Sequence, residues 1–508
     1  MKSVSSAIFF VGLMAPALSA QTAMSQPAQS SDAYFIAAQA DLATRLVVTP
    51  NTDRARNIIL FVGDGMGTST LTAARIFQGQ SRGVDGASTW TTMDRLPYAG
   101  LVRTYSHDSL VADSAPSATA LLSGVKARND TVGVDQTVAV DDCAGSVGHG
   151  AVSLFETAEA AGLATGIVST ARITHATPAA AYAHTPQRDW EHDAELPPAA
   201  VAAGCKDIAS QLIAWPHGDG FEVVLGGGRS AFLPETAADP ENPQARGLRQ
   251  DGRDLIAEWK LKHPAGRYVW NRAQFEATTP TTGAPLLGLF EPDHMKYEAE
   301  RDQDVGGEPS LAEMTQKAIA ALQQQDKGYV LLVEAGRIDH AHHVGRADLA
   351  LADTVALDDA VAAALEMVDT SDTLVIVTAD HSHNLTISGY PPREAPILGS
   401  VTRVDGARSI ASDGKGYAIL SYASGPGAVD GSRADFADEA HDQTPHPALV
   451  PMRSAAHGGE DVAARGVGPW AHLLSGTIEQ NLIYHIMVHA LRAGAGEDED
   501  EAITQVQD

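Results

Sequence analysis

YVLLVEAGRIDHAHH, residues 329–343, sets the fold and the chemistry together. An apolar run opens it, and Glu334, Asp339 and His343 follow directly. Two other runs share this build: IILFVGD over residues 58–64 and TLVIVTADH over residues 373–381. Continuous Val, Ile and Leu runs flanked by helical patterns are what parallel strands buried on both faces look like. In such sheets ligands bind beyond the carboxyl ends of the strands. That places Asp64, Glu334, Asp339, His343, Asp380 and His381 where a site belongs. Carboxylates crowd in this way only when a strong cation offsets their repulsion and desolvation, so the pattern reads as a polynuclear metal centre.

Spacing refines the set. Asp339 and His343 are four apart, so on a helical turn they share a face and can grip one ion, while His342 competes geometrically at i+3. Asp380 and His381 are adjacent and reach one metal only from a bend or a strand end. His457, in AHGGED (456–461), sits among small residues; a lone loop histidine is usually surface, but the ligand tally needs another nitrogen. GDGMG (63–67) has the wrong spacing for a dinucleotide loop and would turn an aspartate toward the pyrophosphate, so Asp64 reads as a metal ligand on a tight glycine turn. In VADSAPSATA (111–120) small residues surround Ser114 ahead of an apolar helical stretch. A serine at a helix N-terminus suits a nucleophile that attacks an anionic ester, although a capping serine is the commoner explanation.

Further strand-like runs at 163–169, 221–225 and 417–422 alternate with helical stretches. Among the helices, Ser310–Gln325 carries Ser310 as N-cap with Glu313 completing a capping box, and Ala347–Val368 is the longest. The alternation predicts a doubly wound, mostly parallel α/β sheet with helices on both faces. Pro, Gly and charge at about 229–309 and turn formers at 389–456 mark inserted loop-rich subdomains in a catalytic domain over 57–490. The start, MKSVSSAIFFVGLMAPALSAQ, has the layout of a secretory signal over 1–20. Residues 21–56 read as a flexible leader followed by an amphipathic helix at Ala33–Val48, and 491–508, with EDEDE at 497–501, as an acidic disordered tail.

Export to the periplasm or medium follows from that signal, and no later run is long enough to span a membrane. An even count of two cysteines, Cys143 and Cys205, favours one disulfide in an exported protein, the alternative being two unrelated buried thiols. Acidic residues number 64 against 35 basic, a formal charge of −29, which argues against binding nucleic acid through phosphates. It fits a halophilic habitat, where salt screens self-repulsion, or simply an acidic protein.

Taken together, these segments resemble the alkaline phosphatase family across roughly residues 57–490. The serine segment is similar to that family's active-site signature at Asp113, Ser114 and Thr119, with Pro116 standing where a small residue is usual. The resemblance implies one zinc on Asp339, His343 and His457, a second on Asp64, Asp380 and His381 beside Ser114, and a magnesium on Asp64, Glu334 and Thr177. Arg188 matches the arginine that clamps phosphate by two parallel hydrogen bonds, with Asp113, His175 and His340 also in the substrate-binding set. His175 and His340, with VWNR (269–272) and GLFEP (288–292), are similar to the animal enzymes and their marine bacterial relatives. That branch implies a calcium site on Glu241, the Phe290 carbonyl, Glu291 and Glu308, in a stretch lengthened here and with Glu for the usual Asp. It also implies a Cys143–Cys205 disulfide and a homodimer.

The expected activity is hydrolysis of phosphate monoesters to an alcohol and inorganic phosphate through a phosphoserine at Ser114. The nearest rival is a phosphodiesterase or sulfatase of the same superfamily; those generally use a threonine or a modified cysteine, and position 114 holds neither. A non-catalytic exported phosphate- or metal-binding protein is the alternative of another class, and it would have no need for Ser114.

Overall fold

The apolar runs become strands because Val, Ile and Leu on both faces of a pleated segment are buried only when layers cover both sides. In the computed structural model, which describes residues 27–429, 431–436 and 444–493, ten strands form one sheet. They are β1 (Asn57–Gly63), β2 (Tyr98–Arg103), β3 (Ala164–Arg172), β4 (Val223–Gly227), β5 (Arg267–Val269), β6 (Leu286–Leu289), β7 (Tyr329–Ala335), β8 (Thr373–Ala379), β9 (Val462–Val467) and β10 (Gly476–Glu479). Their order is β10-β2-β9-β8-β1-β7-β3-β4-β6-β5. Only β9 runs antiparallel to its neighbours. Every residue of β7 and β8 is buried, as a sheet covered on both faces requires. The expected signal over 1–20 and the acidic run at 497–501 lie outside the described residues.

Register sets the site. β1 pairs in parallel with β7 on one side and β8 on the other, aligning Val62 with Glu334 and Gly63 with Ala379. Asp64, Glu334 and Asp380 therefore leave three adjacent strands at the same edge. The chain winds away from β1 in both directions there, which is the crevice where open α/β sheets bind ligands.

Local chemistry explains the helices. Ser310 caps Leu311–Leu322 with the reciprocal bonds of a capping box: Glu313 N–H donates to Ser310 Oγ (3.2 Å) and Ser310 N–H donates to Glu313 Oε2 (2.8 Å). That helix stops short of the expected Gln325, where polar glutamines replace the apolar stripe. The long helix spans Ala347–Met367. The described residues 27–49 belong to a separate unit. Within it, helix Ala33–Leu46 is capped by Asp32 and has no buried residue.

Two expectations change. The run at 417–422 becomes Leu420–Gly425, which belongs to a small sheet with Leu385–Ile387 and Ala448–Pro451 rather than to the central one. Leu420 and Tyr422 bury against Leu385, Ile397 and Val401 in a core of their own. The stretch at 229–309, for its part, supplies the edge strand β5 and its neighbour β6, of three and four residues. Strands so short leave no periodic signal among prolines and glycines. Among the described residues no helix is long and apolar enough to cross a membrane.

Cys143 and Cys205 are disulfide-bonded, with Cα atoms 6.0 Å apart, beside buried Trp190 and Ala200. The bridge closes a loop with a sequence separation of 62. In the chain-entropy account such a loop contributes about 4 kcal/mol. A Cys143→Ser/Cys205→Ser double variant is expected to unfold several degrees lower by calorimetry; an unchanged Tm would show that the bridge does not constrain the unfolded chain.

Candidate metal centre and active site

Beyond β1, Asp64 enters a tight turn on Gly65, whose φ is +66°. A Cβ at Gly65 would lie 2.8 Å from the His383 ring and 3.0 Å from Asp339 Oδ1, so the turn needs glycine for both conformation and space. Gly65 N–H and His381 N–H both donate to Asp380 Oδ1, at 3.0 and 2.8 Å, which fixes the adjacent pair at the end of β8.

Ser114 opens helix Ser114–Ser123, but Asp113 is the N-cap, its Oδ1 accepting from Ala115 N–H at 2.7 Å. The capping explanation for Ser114 is therefore taken by its neighbour. Pro116 falls in the first turn, where a missing N–H loses no intrahelical bond, so the helix starts undisturbed. The buried Ser114 hydroxyl lies 3.3 Å from Asp64 Oδ1 and 3.2 Å from His381 Nε2. His381 Nε2 is in turn 3.4 Å from Asp64 Oδ1 and 3.3 Å from Asp380 Oδ2. Three residues of the second expected zinc set thus converge on the serine.

The other expected zinc set also meets, on the turn after β7. His343 Nε2 is 3.2 Å from Asp339 Oδ2, His457 Nε2 is 3.4 Å from Asp339 Oδ1, and the two imidazole Nε2 atoms are 3.2 Å apart. His343 Nδ1 faces the Ala455 carbonyl (2.7 Å), His457 Nδ1 that of Ala112 (3.0 Å) and His381 Nδ1 that of Ser382 (3.2 Å). A carbonyl only accepts, so each Nδ1 carries the proton and each Nε2 turns a lone pair into the shared space. This is how metal-ligating histidines are oriented. His342 is out of contention, buried between the Thr70 hydroxyl (3.0 Å) and the Tyr422 hydroxyl (2.8 Å).

Glu334 accepts from the Ser169 hydroxyl through Oε2, while its Oε1 and the Thr177 hydroxyl are buried without a hydrogen-bond partner. Donor atoms of Asp64, Glu334 and His175 lie within 4.8 Å of one another. Arg188 reaches Asp113 Oδ1 (2.9 Å) and His175 Nε2 (3.0 Å). The His175 and His340 rings lie 5.2 Å apart. Burial lifts Asp64 well above the carboxylate range, with Asp380, Asp339 and Glu334 adding to it, and lifts Glu334 to about 7. Burial acts on Asp339 the same way, but His343 and His383 hold it well below that range. The donor set thus fits cations: orphaned buried oxygens, mutually repelling carboxylates and converging imidazole lone pairs.

A second acidic cluster forms away from the serine. Glu241, Glu291 and Asp304 bring carboxylate oxygens within 4.8 Å. Buried Glu308 stands beside them: burial, then Glu291 and Asp304, push it up to about 9, and its Oε2 has no hydrogen-bond partner. The Phe290 carbonyl accepts from Arg229 Nη1 at 2.9 Å. Asp304 was not among the expected ligands; it lies in the lengthened stretch before Glu308, whose path the sequence leaves open.

His383 and His294 also escape the sequence reading. His383 Nε2 bonds to Asp339 Oδ1 at 2.6 Å, and its donor atom lies within 4.8 Å of those of Asp339, His343 and His457. The signal was present, since His383 stands two residues beyond His381.

The fold and this site define a hydrolase of the α/β class with a serine beside a cluster of cation-binding groups. The family profile described as alkaline phosphatase matches residues 55–493. The tissue-nonspecific alkaline phosphatase of Rattus norvegicus is 45% identical over 459 residues, covering 88% of this chain and 86% of the relative. The alkaline phosphatase of Gadus morhua is 43% identical over 455 residues, covering 88% and 94%. Among solved structures, the alkaline phosphatase of Thermus thermophilus superposes with a TM-score of 0.63 at 25% identity, covering 90% of this chain and 96% of that one. The chain belongs to the alkaline phosphatase family, which are metal-dependent phosphoric monoester hydrolases.

Because His383 holds Asp339 Oδ1 by a 2.6 Å hydrogen bond, His383→Ala is expected to weaken divalent-cation retention by about 10- to 100-fold. Competition with a chromogenic chelator measures it; wild-type retention would show that Asp339 is held in place without this hydrogen bond.

Proposed function

We propose that this chain hydrolyses phosphate monoesters through a phosphoserine formed at Ser114. The observation that carries the reading is the Ser114 hydroxyl at 3.3 Å from Asp64 and 3.2 Å from His381, at the positive end of a helix and on the edge of the carboxylate cluster. Zinc on Asp339, His343 and His457, zinc on Asp64, Asp380 and His381, and magnesium on Asp64, Glu334 and Thr177 would supply Lewis acidity toward the serine hydroxyl and the phosphoryl oxygens.

The chain's own groups do the rest. Ser114 Oγ attacks phosphorus in line with the departing alkoxide: the Oγ–P bond forms, the ester P–O bond breaks, the hydroxyl proton passes to solvent, and the alkoxide takes a proton from solvent. Arg188, steadied by Asp113 and His175, offers its planar fork to the transferring oxygens. Water then opens the phosphoserine at phosphorus, releasing inorganic phosphate and restoring the hydroxyl. Such a site grips the phosphoryl group and leaves the alcohol in solvent, so many monoesters serve as substrates.

Calcium suits the acidic cluster of Glu241, Glu291, Asp304 and Glu308, all oxygen donors, with buried Glu308 Oε2 unpartnered. Residues 57–490 serve as the catalytic domain, consistent with the extent of the family match. The disulfide favours an oxidising compartment, hence export. The helix at Ala33–Leu46 exposes Tyr34, Ile36, Leu42 and Leu46, an apolar surface that suits a second copy of the chain in a homodimer.

Turnover of 4-nitrophenyl phosphate is expected to rise from pH 7 to pH 10, vanish with a chelator and return on adding zinc and magnesium. Ser114→Ala is expected to lose roughly 10⁴-fold or more in kcat. Quenched wild-type protein, mapped by peptide mass spectrometry, carries phosphate on Ser114. A metal-loaded protein that turns over diesters or sulfate esters but no monoester overturns the proposal. Arg188→Lys keeps the charge but loses the fork, and about 10- to 100-fold in kcat/KM is expected; wild-type kcat/KM would remove Arg188 from the site.

A further inference from the structure

We propose that His294 is a positioning residue that couples the second cation centre to the phosphate-gripping wall of the active site, so that calcium bound at one tightens phosphate bound at the other. The inference rests on the reading of the acidic cluster as a calcium site.

Six residues, Glu291–Lys296, follow β6 and face two ways. Both ends are tied to the acidic cluster. Glu291 contributes its carboxylate beside Glu241 and Asp304, while its main-chain carbonyl accepts from Gly228 N–H (3.1 Å) and Arg229 N–H (2.9 Å). At the other end, Lys296 N–H donates to Glu308 Oε1 (2.9 Å), and Lys296 Nζ is 3.3 Å from Glu291 Oε1. Next to it, Met295 N–H donates to the Thr170 carbonyl on β3 (3.1 Å).

The middle of the segment faces the active site. Arg172 N–H donates to His294 Nδ1 at 3.1 Å, and Arg172 Nη1 is 2.7 Å from His294 Nε2. The same guanidinium grips both Glu191 oxygens, at 2.8 and 2.6 Å, and Asp293 Oδ1 at 2.6 Å. The His294 ring lies 4.0 Å from the His340 ring and 5.5 Å from that of His175. His175 Nε2 is the atom that touches Arg188 Nη2, at 3.0 Å. A continuous packed path therefore runs from Glu291 and Glu308 through His294 to His340, His175 and the arginine offered to phosphate.

Charge gives the path two arrangements. A divalent cation among Glu241, Glu291, Asp304 and Glu308 draws both ends of the segment together and seats the His294 ring. Without it, Glu291 is left to Lys296 (3.3 Å) and Glu241 to Arg229 (3.0 Å), no single charge draws both ends in, and the His294 ring is held from the Arg172 side alone. Two sites that bias one element are coupled reciprocally in their binding free energies.

The test uses the full protein loaded with zinc and magnesium and freed of calcium. Inorganic phosphate is titrated by calorimetry with and without calcium, and calcium with and without phosphate. Calcium is expected to tighten phosphate by about tenfold, and phosphate to tighten calcium by the same factor. In His294→Ala the factor falls toward one while calcium still binds. His294→Gln, which keeps an acceptor for Arg172 N–H, recovers part of it and guards against misfolding of the alanine variant. Calcium that binds wild-type protein without changing phosphate affinity overturns the coupling, and so does an undiminished factor in His294→Ala. Failure of calcium to bind at all overturns the calcium reading of the cluster and the coupling with it.

Discussion

The carboxylates of Asp64, Glu334, Asp339 and Asp380 are buried together where β1, β7 and β8 end, and their mutual repulsion is the constraint the rest of the structure answers to. A folded chain tolerates such a cluster only if positive charge is brought to it. Arg188 is one source, and it acts on both Asp64 and Asp339. Protons on the raised acids are another; divalent cations are the third, and the three imidazoles with Nδ1 on main-chain carbonyls turn Nε2 toward the carboxylates where such cations would sit.

The sheet makes this arrangement affordable. Three adjacent parallel strands deliver their last residues to one edge in strict register, so backbone pairing, rather than loop conformation, positions Asp64, Glu334 and Asp380. The chain then uses short devices at each strand end: a glycine turn after β1, a helical turn carrying Asp339 and His343 after β7, and a bend at Asp380 and His381 followed by the extended pair Ser382–His383 after β8. Ser114 comes from a separate helix whose cap is Asp113, and Asp113 also steadies Arg188. One aspartate thereby ties the attacking group to the anion clamp.

Much of this was legible in the sequence because the signal was local. Runs such as IILFVGD and TLVIVTADH carry strand, direction and ligand in nine residues or fewer, and Ser310 with Glu313 states its own helix start. What escaped was set by distant packing. β5 and β6 are too short to show a period, and Leu420–Gly425 pairs in a sheet apart from the central one because its apolar side chains meet Ile397 and Val401 rather than the main core. Asp304 reaches the acidic cluster through a lengthened loop, and His294 reaches His340 across the sheet edge; neither distance is written in residue spacing. His383 differs, since its place two residues beyond His381 announced it.

Anomalous diffraction at the zinc edge, from crystals grown with zinc, tests the central claim most directly. Two peaks are predicted, one among Asp339, His343 and His457 and one among Asp64, Asp380 and His381 beside Ser114. A zinc-soaked crystal with neither peak, and with the carboxylates and imidazoles in these same positions, would contradict the claim that cations hold the cluster together.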